Sequence, residues 1–66
     1  MPRLRHRFAV EVDELSYFHF RRWVRARDPD ALLKAEPVGA QDRWRFQVET
    51  GKRYLSDRAR RRWQAD

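Results

Sequence analysis

The chain has no cysteine, no isoleucine and no asparagine, only two glycines and two lysines, and no apolar run longer than a few residues. Several of these absences remove a class of protein. Without cysteine there are no disulfides to brace a small fold and no thiolate ligands for a metal. With no stretch near the roughly 20 apolar residues that cross a bilayer, and no apolar segment after Met1-Pro2-Arg3-Leu4-Arg5 of the kind that exports a protein, the expectation is a cytoplasmic protein that makes no membrane contact. Two isolated glycines, Gly39 and Gly51, cannot build a Gly-rich phosphate loop, and no G-x-S-x-G elbow is present. His6 and His19 are the only imidazoles, they form no H-x-x-x-H pair, and each falls on an apolar face, where a hydrogen-bonded core role fits better than a ligand or a base. No metal, no cofactor and no catalytic residue is expected, and the chain reads as a non-enzyme. The one grouping suited to metal-free RNA cleavage is Tyr54 with Arg53, Arg58 and His6.

What is present is arginine: fourteen of the sixteen basic residues, set among nine aromatics and giving a net charge of +6 over 66 residues. Arginine's planar fork grips phosphate or carboxylate bidentately and stacks on flat rings, which lysine does not do. The charge is uneven, with residues 1–27 at +4, 28–42 at −3 and 43–66 at +5. A chain this short forms a single domain, residues 1–66, and buries only about 60% of the surface that its unfolded form exposes. Dense aromatic packing, or the sharing of apolar surface in a homodimer, must then make up for a small core.

Residues 3–13 alternate strictly, with Leu4, His6, Phe8, Val10 and Val12 on one side and mostly charged residues on the other, which predicts a half-buried strand. Asp13 and Glu14 then open a helix to Arg27, on which Leu15, His19, Trp23 and Ala26 share the packed side with Tyr17, Phe20 and Val24 adjoining, while Arg21, Arg22 and Arg25 gather opposite around Phe18. Asp28-Pro29-Asp30 is a helix-start pattern, and Pro37 ends that second helix near residue 35 or 36; the alternative is a strand over 32–38, turning through Gly39–Asp42. Arg43–Glu49 alternates again and predicts a strand. Ser56 and Asp57 cap a last helix with Leu55, Ala59 and Trp63 in a stripe. The fold is thus expected to be α+β: a small antiparallel sheet of two or three strands packed on one face by two or three helices, with Trp23, Trp44 and Phe46 at its centre.

Three arginine groups carry the functional expectation: Arg3, Arg5 and Arg7 at the strand start, Arg21, Arg22 and Arg25 on the first helix, and Arg58, Arg60, Arg61 and Arg62 on the last. Clustered arginines release the counterions condensed on a phosphate backbone, so the first reading is a nucleic-acid-binding module, for duplex DNA. Phe18 is a candidate stacking platform for a base. The order strand, helix, helix over residues 3–36 is similar to that of ribbon–helix–helix repressors, in which paired strands from two chains enter the major groove, and the loop and strand around Arg43-Trp44-Arg45 resemble a wing. The second reading is a protein-binding regulator, a phage-type inhibitor or antitoxin-like partner, whose Arg and Trp residues form hot spots against an acidic protein surface.

Overall fold

A computed structural model describes residues 5–39 and 42–63. The elements run β1 (His6–Asp13), a 3₁₀ turn (Glu14–Ser16), α1 (Tyr17–Arg27), β2 (Leu32–Pro37), β3 (Arg43–Thr50) and α2 (Leu55–Trp63). The strands form one antiparallel sheet in the order β1-β3-β2, and both helices pack on one of its faces, which makes the fold α+β.

The alternation of β1 and β3 sorts their side chains between two environments. Phe8 pairs with Val48, Val10 with Phe46 and Val12 with Trp44, so these side chains line the helix-covered face. Phe8, Val10, Val12, Phe46 and Val48 are buried there with Phe20 and Val24 of α1 and Leu55 and Ala59 of α2. Tyr17 packs against Trp44 and Phe46 (centroids 5.1 and 4.9 Å), Phe20 against Phe46 and Trp63 (4.7 and 4.9 Å), and Trp23 against Trp63 (5.1 Å). This chain of rings ties α1 to the sheet on one side and to α2 on the other. Phe46 is central as expected, whereas Trp23 and Trp44 are half-buried at the rim, and Phe20 and Leu55 take the centre.

Asp13 starts the first helical segment as expected, its Oδ1 accepting from the Ser16 N–H at 2.8 Å. The packed face of α1 differs from the expected one. Tyr17, Phe20, Trp23 and Val24 point inward, while Leu15 is 86% exposed and His19 and Ala26 are also exposed. Within α1 the apolar residues Tyr17, Phe20 and Val24 recur at i, i+3 and i+7, and this stripe, with Phe20 against Phe46, sets the phase of the helix; Leu15 lies in the 3₁₀ turn at Glu14–Ser16, outside the α-helix. His19 accordingly stands outside the core, and His6 is half-buried opposite Thr50. Ser56 lies inside the first turn of α2, which starts at Leu55.

Residues 29–36 do not form a second helix. Asp28 closes α1, its N–H donating to Val24 O at 2.8 Å, and its carboxylate accepts from the Asp30 N–H and the Thr50 hydroxyl. An aspartate before Pro-Asp can cap a helix or form a local turn with the N–H two residues on; here it does the second. Leu32–Pro37 then becomes the third strand, because pairing with β3 covers the flank of Phe46 and Val48 with Leu33 and Ala35. Val38 N–H donates to Arg43 O at 3.1 Å, so the groups alternating with it, at Pro37, face away from β3 and the missing proline N–H costs the sheet nothing. Asp42 takes the left-handed conformation (φ 62°) at the β2–β3 turn, which aspartate tolerates, and its carbonyl accepts from Glu14 N–H at 2.8 Å. With β2 a strand, the strand-helix-helix order of a ribbon–helix–helix protein is absent.

Candidate nucleic-acid interface

The two layers of the fold carry very different charge. On the open face of the sheet, cations and anions alternate across the strands: Arg7 Nε donates to Glu49 at 2.8 Å, and Glu11 accepts Arg45 at 3.2 Å with Arg43 at 3.6 Å. The three strands together hold four basic and four acidic residues and are neutral. Helices α1 and α2 instead hold eight arginines (Arg21, Arg22, Arg25, Arg27, Arg58, Arg60, Arg61 and Arg62) against one acid, Asp57. Among the described residues no carboxylate lies within salt-bridge distance of any of the eight.

Within the helical layer the arginines divide by helical phase. The Leu55-Ala59-Trp63 stripe sets α2 against the sheet, and at about 100° per residue Arg58, Arg61 and Arg62 fall on one side of that stripe while Arg60 falls on the other. The first three meet Trp23 and Arg27 of α1 across a shallow, open cleft of about 520 Å³. The Arg27 guanidinium lies 4.3 Å from the centre of the Trp23 ring, and its Nη1 donates to Trp23 O at 3.1 Å. Arg62 stands 5.2 Å from the Trp63 ring and Arg58 5.3 Å from Tyr54. Stacking on aromatic faces holds these cations in place without neutralising them. Four guanidiniums sharing one concavity repel one another, and an anion seated among them relieves that repulsion.

The ten arginines proposed from the sequence do not converge on one surface. Arg3 lies outside the described residues. Arg5 is exposed just before β1, and Arg7 is on the open sheet face, paired with Glu49. Arg25 donates to the Pro29 and Ala31 carbonyls at 3.2 and 3.0 Å, bracing the turn into β2. Arg21 and Arg22 are exposed on the outer surface of α1 with Phe18, which is 66% exposed and touches only the edge of the Tyr17 ring among aromatic neighbours (4.9 Å, 73°). That surface lies on the side of α1 away from Trp23, so Phe18 and the cleft face different directions.

Arg27 and Trp23 complete the cleft and were not among the site residues proposed from the sequence. A readable signal was the four-residue spacing of Trp23 and Arg27, which puts ring and guanidinium together on a helix. Among the described residues no group of three or more His, Asp or Glu gathers as a metal site, and no helix is long and apolar enough to cross a membrane. Compared with the known protein families, with curated proteins and with solved structures, the chain matches none.

Proposed function

We propose that this chain is a non-enzymatic nucleic-acid-binding module that seats phosphates of duplex DNA in the cleft between α1 and α2. The observation that carries the reading is the segregation of charge: a neutral, internally paired sheet face backs a helical layer with eight arginines that have no carboxylate partner among the described residues. Repeated phosphates are the ligand that such a layer suits, because each guanidinium that meets one releases condensed counterions. Arg27, Arg58, Arg61 and Arg62 are the first contacts, and aromatic neighbours orient Arg27, Arg58 and Arg62 beforehand.

Neutralising about four phosphates gives a log K against log salt slope of about −3 to −4 on duplex DNA. Substituting Arg58, Arg61 and Arg62 together by Gln reduces its steepness by about 2 to 3, whereas Arg43→Gln with Arg45→Gln on the sheet face leaves it unchanged. Mobility-shift titrations at several salt concentrations read both numbers. An unchanged slope in the cleft variant overturns the assignment. Weak nucleic-acid binding at every salt concentration, together with salt-resistant capture of an acidic protein, replaces it with the protein-partner reading.

A further inference from the structure

We infer that the outer edge of β2 is an interface for a second copy of this chain, joined strand to strand about a two-fold axis at Ala35. β2 is an edge strand, and neither helix packs on it extensively. The contrast with the other edge is direct. On β1 the inward side chains Phe8, Val10 and Val12 are buried, whereas on β2 Leu33 and Ala35 are only half-buried and Leu32 is 58% exposed. Leu32 also borders a shallow depression of about 510 Å³ on the open sheet face, lined by Ala9, Lys34 and Gln47 among others.

The hydrogen-bond phase fixes which groups this edge offers. Because Val38 N–H bonds to β3, so do the groups of Leu32, Lys34 and Glu36, and the N–H and C=O of Leu33 and Ala35 and the C=O of Pro37 point outward. Antiparallel pairing about Ala35 gives two bonds between the two Ala35 residues. Each Leu33 N–H also donates to the carbonyl of Pro37 in the second copy. Pro37 has no N–H to return, so the Leu33 carbonyl at each end of the pairing keeps water as its partner.

Side chains select the same register. With Ala35 opposite itself, Lys34 stands opposite Glu36 of the second copy, Glu36 opposite Lys34, Leu33 opposite Pro37 and Leu32 opposite Val38, so charge meets opposite charge and apolar meets apolar throughout. Moving the axis to Lys34 sets two ammonium groups against each other and Leu32 against Glu36. A shift of one residue in the pairing turns the apolar row toward the charged face. The product is a continuous six-stranded antiparallel sheet with both helical layers on one side, which carries the two cationic clefts on a common surface.

The test is the molar mass in solution, by sedimentation equilibrium without nucleic acid, so its result is independent of the DNA-binding reading. The wild-type chain is expected at twice its 8.2 kDa mass. Lys34→Glu and Glu36→Lys each place like charges opposite one another twice, and each weakens the dimer by about tenfold or more. An equimolar mixture of the two variants restores the dimer, because the altered charges then meet their opposites. Ala35→Pro removes an N–H that faces away from β3, so it abolishes the dimer while circular dichroism and the unfolding transition persist. A wild-type chain that stays monomeric to millimolar concentration overturns the inference, as do variants that dimerise like the wild type or a mixture that does not recover.

Discussion

Asp28 and Thr50 are the two buried polar residues of the described core, and each answers the other. The Thr50 hydroxyl donates to the Asp28 carboxylate while its oxygen accepts from Lys52 N–H at 3.0 Å, so one pair joins the end of α1 to the end of β3. Donation from Thr50 holds the Asp28 carboxyl below the ordinary value of 3.8 against the opposing effect of burial, with the Asp30 and Gly51 N–H groups and Lys52 adding to the fall. A carboxyl lowered in the folded state stabilises the fold above its ordinary value, and that contribution disappears as pH falls through the lower, folded one. Thr50→Val should therefore cost about 1–3 kcal/mol at neutral pH, by leaving a buried carboxylate short of a donor. It should also flatten the loss of stability in acid. Urea unfolding at neutral pH and just below 3.8 measures both effects, and an acid limb as steep as the wild type's would remove Asp28 as its source.

The helices and strands show where residue patterns determine an element and where its neighbours do. β1 and β3 were legible because two-residue alternation has one outcome when one face is buried. Asp28-Pro29-Asp30 was not, since the same residues cap a helix or make a turn, and only the vacant flank of β3 decides between them. The rotation of α1 was hidden for a similar reason: two faces of the helix carry apolar residues, and packing of Tyr17 and Phe20 on Phe46 selects the one that also holds Val24. Of the site, the abundance of helical arginine was readable from spacing, but its division into a cleft and an outer surface needed the α1–α2 pairing. That division predicts unequal neighbours on α2. Arg61→Gln removes a cleft cation and should weaken duplex binding at low salt several-fold, while Arg60→Gln, on the other side of the helix, should change it by less than half as much in log K. Equal losses from the two single variants would mean that the DNA reads the helix as a uniform cationic rod.

Across the whole molecule, the charge that suits binding works against folding. Eight arginines on two adjacent helices face a single acid, so assembling the helical layer brings like charges together, whereas the sheet face gains only exposed pairs such as Arg7–Glu49. Exposed pairs contribute about 0–1 kcal/mol each, and salt screens them along with the repulsion. The repulsion involves more charges and acts over several separations up to the Debye length of about 10 Å at about 0.1 M salt, so it dominates the balance. Stability should therefore rise with salt over the range in which the proposed DNA affinity should fall. The urea midpoint of the free protein, followed from low to moderate sodium chloride, should move upward, and Arg58, Arg61 and Arg62 substituted together by Gln should raise the low-salt midpoint and shrink that movement. The opposite trends separate the two effects of salt: a complex that dissociates while the fold tightens is losing phosphate contacts, not structure. A midpoint that falls with salt would show that the sheet-face pairs outweigh the helical arginines.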